Sequence, residues 1–120
     1  MTRPTTLDLV REALPLQVDN AETAGPSVGI WGEGWSLSLL CPWELVGPGT
    51  RTTWESKNLV SDWQILLGRT LEGVTARDDD AVDPTFHFNG AITLSVRADS
   101  DLDPWTLRVP GLVVVGTKAM

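Results

Sequence analysis

The 120-residue chain has one cysteine, one histidine and no tyrosine. Cys41 alone can form neither an internal disulfide nor a thiolate metal cage. Walker A, HExxH, GxSxG and CxxC motifs are missing, and no nucleophile elbow accompanies His87, so neither a cofactor nor catalysis is expected. No hydrophobic run approaches the ~18–20 residues of a membrane span. No apolar h-region follows Met1-Thr2-Arg3-Pro4-Thr5-Thr6, which makes a cytoplasmic address the expectation. Cations are scarce as well: 9 Lys and Arg stand against 16 Asp and Glu, for a net charge of −7. That balance counts against a nucleic-acid binder, which needs clustered Lys and Arg, and suits a basic protein partner.

What is present describes a folded module. A hydrophobic fraction of 42% fits one domain over residues 1–120, with room for a single core. Val, Ile and Thr make up 28 of the 120 residues, a bias toward strands. Residues 5–14 suggest a short helix: Thr5 and Asp8 have capping-box spacing, Leu7, Val10 and Leu14 form a stripe, and Pro15 ends it. Leu16 to Val18 begins a strand, and 19–26 reads as a polar loop. Val28 and Ile30, then Trp35, Leu37 and Leu39, predict a hairpin. A two-residue Gly32-Glu33 turn would set Ile30 opposite Trp35, leaving Trp31 on the other face or at the turn. Residues 50–55 read as a loop and 56–67 as a helix with Trp63 inward, closed by Gly68. Leu71 to Arg77 is a strand and Asp78-Asp79-Asp80 a turn. Thr85–Phe88 and Ile92–Arg97 form a hairpin around Asn89-Gly90. There a three-residue loop aligns Phe88 with Ile92 and Phe86 with Leu94 on one apolar face. Trp105–Val109 and Leu112–Val115 close the chain around Pro110-Gly111. The predicted class is α+β, mainly antiparallel sheet with one or two short helices.

The halves echo one another. Pro42-Trp43-Glu44-Leu45-Val46 returns 62 residues later as Pro104-Trp105-Thr106-Leu107-Arg108-Val109. Each follows an alternating strand and a Gly turn, which suggests a helix–β-meander unit used twice, over 5–49 and 56–111.

Candidate sites are few. Asp99-Ser100-Asp101-Leu102-Asp103 opens like a calcium loop, but Pro104 stands where glycine belongs and Pro110 where the bidentate glutamate belongs, so no metal is expected. Six tryptophans are the most distinctive feature. Trp31 and Trp54, beside Glu33 and Glu55, suit an interface hot spot. Together with Glu33, Asp78, Asp79, Asp80, Asp99 and Asp101 they make the candidate partner-binding surface. Trp43, Trp105 and His87 make an alternative small-ligand site in a β-roll. Leu112–Val115, as an apolar edge strand, also suits homodimerisation.

Three segments carry a resemblance: Leu66-Leu67-Gly68-Arg69-x-x-Glu72-Gly73-Val74, Phe86-x-Phe88-Asn89-Gly90-x-x-x-Leu94-x-Val96, and Pro104-Trp105-x-Leu107. Over roughly its second half the chain resembles a loose group of small bacterial proteins, some similar to immunity proteins of toxin–immunity pairs. The resemblance implies a non-catalytic protein that covers a basic or nucleic-acid-processing partner, and it assigns no site residue.

Overall fold

The computed structural model of the chain describes residues 3–24, 27–55, 60–100 and 104–118. Helix α1 (Thr6–Glu12) starts at Thr5, whose hydroxyl accepts the Asp8 N–H at 3.0 Å while the Asp8 carboxylate accepts the Thr5 N–H at 3.1 Å. This capping box satisfies two otherwise unpaired donors. Leu7 and Val10 turn inward. The second helix is a 3-10 helix, Val60–Leu66, with Trp63 and Leu66 fully buried. Gly68 follows at φ 77°, the left-handed conformation that glycine adopts without steric cost.

Strands β1 (Leu16–Gln17), β2 (Asn20–Ala24), β3 (Ser27–Gly32), β4 (Trp35–Leu39), β5 (Trp43–Gly47) and β6 (Thr50–Thr53) precede the 3-10 helix. After it come β7 (Thr70–Thr75), β8 (Thr85–Phe88), β9 (Ile92–Val96), β10 (Trp105–Val109) and β11 (Leu112–Val115). They form two sheets, ordered β1-β7-β8-β9-β5-β6 and β11-β10-β4-β3-β2, with every strand pair antiparallel. The fold is therefore α+β and dominated by antiparallel sheet.

The two Pro-Trp hairpins change sheets reciprocally. Hairpin β5–β6 leaves the meander β2-β3-β4 and pairs with β9, while β10–β11 leaves β7-β8-β9 and pairs with β4. A shift of 62 residues carries Glu44↔Thr53 onto Thr106↔Val115 and Gly47↔Thr50 onto Val109↔Leu112. These correspondences run past residues 49 and 111, to the ends of β6 and β11. The helices cross over too: α1 packs on β7 and the 3-10 helix on β2. Inner residues of both sheets join one buried cluster, in which Trp105 meets Phe86 edge-on at 6.2 Å and Trp43 meets Trp63 at 4.8 Å.

The three-residue loop Asn89–Ala91 sets Phe88 opposite Ile92 and Phe86 opposite Leu94, as the apolar pattern requires. Other expectations need correction. Residues 20–24 are a strand rather than a loop, because β3 supplies the ladder although only Ala21 is buried. Residues 50–53 are likewise a strand, with the inward position taken by a threonine, Thr52. The expected helix from 56 is a 3-10 helix from Val60, and residues 56–59 lie outside the described set. In the first hairpin the turn is Glu33-Gly34, so Gly32 faces Trp35, Ile30 faces Leu37 and Val28 faces Leu39. That is two residues from the predicted register. An even slip keeps the same side chains inward, so the apolar pattern could not separate the two. Gly34, at φ 77°, takes the turn position that demands glycine.

Candidate functional site

Alternation turns Leu45, Leu94 and Phe86 into the core and leaves their neighbours on the outer face of the six-stranded sheet. Cross-strand register lines up Thr53, Glu44, Ser95, Thr85 and Thr75 in one row, with Arg51, Val46, Thr93 and His87 in the next. The face is polar and knitted laterally. Arg51 donates two bonds to Glu44, at 2.6 and 2.9 Å; the Thr85 and Ser95 hydroxyls lie 3.2 Å apart, and Thr75 Oγ1 lies 2.8 Å from His87 Nε2.

At one end of this face an open groove of about 660 Å³ is lined by Trp54, Glu55, Asp83, Thr85, Ser95 and Arg97, among others. Trp54 is held by its backbone N–H, which donates to the Trp43 carbonyl at 2.9 Å, and its ring packs in part on the core. Asp83 is half-buried and accepts the Ala98 N–H at 3.2 Å. The exposed Asp78-Asp79-Asp80 turn leads into it, held by the Asp78 carboxylate, which accepts from the N–H groups of Asp80 and Val82. Asp99 is exposed on the β9–β10 connection, and both it and Asp83 act electrostatically on Cys41.

The predicted partner-binding residues therefore fall into two groups. Trp54, Asp78, Asp79, Asp80 and Asp99 belong to the six-stranded sheet and its loops, while Trp31 and Glu33 belong to the five-stranded sheet. Asp101 lies outside the described residues. Neither tryptophan is fully exposed; Trp31 is half-buried on the outer face, opposite Ser36. Sequence reasoning passed over Glu44, Thr85, Ser95 and Arg97 as groove residues. Thr85 and Ser95 face each other within the Asn89-Gly90 hairpin and Arg97 follows it, but Glu44 reaches them only because β5 joins β9, and no local motif signals that pairing.

The alternative ligand residues do not share a cavity. Trp43 and Trp105 are 3% and 2% exposed and point into the core, whereas His87 faces outward. Both indole N–H groups are buried without a hydrogen-bond partner. The two occupy equivalent places in the crossed hairpins. His87 instead borders a second cleft, of about 600 Å³, with Arg11, Glu72 and Thr75. The Arg11 Nε donates to the Val74 carbonyl at 3.0 Å and closes one side of it.

Cys41 is fully buried, and desolvation, then Asp99 and Asp83, push its thiol up to about 12. A protonated, inaccessible thiol is a poor nucleophile. Among the described residues no group of three His, Cys, Asp or Glu side chains could hold a metal ion, and no helix is long and apolar enough to cross a membrane. Comparison with family models, curated proteins and solved structures finds no match for this chain.

Proposed function

We propose that the protein is a non-catalytic, acidic protein-binding module of the immunity type, and that it takes a basic segment of its partner along the Trp54 groove. The observation that carries this reading is the groove itself. A half-buried tryptophan lines it together with Glu44, Glu55 and Asp83, where Arg51 and Arg97 are the cations, and the exposed triple-aspartate turn shortly precedes Asp83 in the chain. An arginine or lysine entering there meets an aromatic face and carboxylates together, a combination that gives cation–π attraction and charge pairing at one point. The surrounding carboxylates raise the association rate with a basic partner, and Trp54 lowers its escape rate. The small-ligand reading has less support, because Trp43 and Trp105 are already occupied in packing. A cytoplasmic setting belongs to the same proposal.

The test is affinity capture with the tagged protein, read by mass spectrometry, alongside Trp54→Ala, Asp78→Asn/Asp79→Asn/Asp80→Asn and Trp31→Ala variants. The reading expects a basic partner that is lost with Trp54→Ala and weakened by the aspartate variant. Recovery of the same partner by both variants, or of an acidic one, would overturn it.

A further inference from the structure

Three long sheet edges, β2, β6 and β11, are open to comparison, and they are not alike. At β6 the Trp54 N–H donates to the Trp43 carbonyl, so in an antiparallel ladder Arg51 and Thr53 turn their backbone groups outward. Arg51 puts a charge there, paired with Glu44. Edge β2 carries the exposed Glu22 and is packed by the 3-10 helix. Charged side chains and covering elements are the usual means of blocking sheet-to-sheet pairing.

Among the described residues edge β11 has neither. Its sequence is Leu-Val-Val-Val. The Gly116 N–H donates to the Trp105 carbonyl at 2.8 Å, and the register continues through Leu107↔Val114 and Val109↔Leu112. Residues 112, 114 and 116 therefore bond to β10, while the N–H and C=O of Val113 and Val115 point to the open edge. The same two valines are 53% and 45% exposed, and with Leu40 at 58% they are the three most exposed large hydrophobic residues described. Strands β3, β4, β10 and β11 contain no carboxylate, and Arg108 is their only charge. In a chain of net charge −7 this composition keeps carboxylates off the docking strands, so two copies meet there without carboxylate repulsion along the edge.

We propose that a second copy of the chain docks antiparallel on β11, about a two-fold axis at Val114, so that the two five-stranded sheets become one. In this register Val113 pairs with Val115 of the second copy, and Val115 with its Val113. All four outward N–H groups and their carbonyls are then satisfied, and Val114 meets its own copy. The outer face gains a cluster of four valines flanked by Arg108 and Thr106 of each copy. A four-residue edge buries less than the ~1,200 Å² of a standard interface, so the dimer is a weak one whose population depends on concentration.

Sedimentation equilibrium of the full chain from about 1 to about 300 µM tests this. The expected mass rises from 13.0 kDa toward twice that value. Val113→Pro removes an edge N–H that β10 does not use, and Val115→Lys places a charge in the valine cluster. Each is expected to abolish the dimer while keeping the wild-type near-ultraviolet tryptophan spectrum; Arg51→Ala, on the β6 edge, leaves the dimer intact. Should Val113→Pro fail to fold, Val115→Lys decides. A wild-type chain that stays monomeric throughout, or a dimer that survives the folded edge variants, would overturn the proposal.

Discussion

Replacing Gly32 by alanine probes the point where β1 crosses from one sheet toward the other. Gly32 faces Trp35 in the hairpin, and the Trp35 indole N–H donates to the Gln17 carbonyl at 2.8 Å. A Cβ on Gly32 would overlap both the Gln17 carbonyl oxygen and the Trp35 indole nitrogen. The chain must then either break that bond or move β1 away from the hairpin. Losing the bond with its donor left buried costs roughly 1–3 kcal/mol, and the displaced packing costs about as much again. The expected loss is about 2–6 kcal/mol, against a total of roughly 5–15 kcal/mol for a domain of this kind. In a thermal melt this corresponds to a fall of about 10–20 °C. Urea unfolding followed by circular dichroism and tryptophan fluorescence measures it. Gly29→Ala is the control: the nearest atom to its Cβ is in the Trp31 ring at 3.9 Å, and the change should stay within about 0.5 kcal/mol. Trp35→Phe removes the indole donor, so its effect and that of Gly32→Ala should be less than additive. A Gly32→Ala protein within about 0.5 kcal/mol of wild type would refute the reasoning.

Gly116→Ala drives a methyl into the indole of Trp105, which is 2% exposed, and an overpacking loss of about 1–3 kcal/mol is expected in the same urea assay. Thr5→Ala removes one arm of the capping box and should cost about 1 kcal/mol, read by the same melt. Ala91→Gly relieves a φ of 60° in the β8–β9 loop and should raise stability by about 0.5–1 kcal/mol. Cys41 should resist a thiol reagent at pH 8 in the native protein and react fully in urea. Burial pushes its folded pKa up to about 12, above the ordinary thiol value of 9.0, so between those values the unfolded chain has lost a proton that the native chain keeps. Stability contributed by this group is therefore present below pH 9 and declines as pH rises toward 12, and Cys41→Ala should flatten that decline.

The second half of the chain was the more legible. Between a two-residue and a three-residue loop at Asn89-Gly90, only the latter puts Phe86, Phe88, Ile92 and Leu94 on one apolar face, and the structure adopts it. Val28, Ile30, Leu37 and Leu39 permit two registers that differ by an even slip, and the Gly34 turn geometry chose between them. Strands β2 and β6 were misread because each has a single inward side chain with less than one tenth of its surface exposed, Ala21 or Thr52. Polar edge strands are held by their neighbours' backbone groups, which leave no trace in hydrophobic periodicity.

For the candidate site the division is similar. Composition alone determined the acidic character, the surplus of tryptophan and the single isolated thiol. That Trp63 is core was readable from helical spacing. That His87 faces away from Phe86 and Phe88 was readable from strand alternation; only the tertiary structure decided that Trp43 and Trp105 are interior and that Trp54 meets Asp83 and Arg97 in one groove. The physical reason is the exchange of hairpins between sheets. Each Pro-Trp strand pairs outside its own meander, with β9 in one case and β4 in the other. Such long-range pairing is settled by the burial of a shared core, and no local stretch of sequence encodes it.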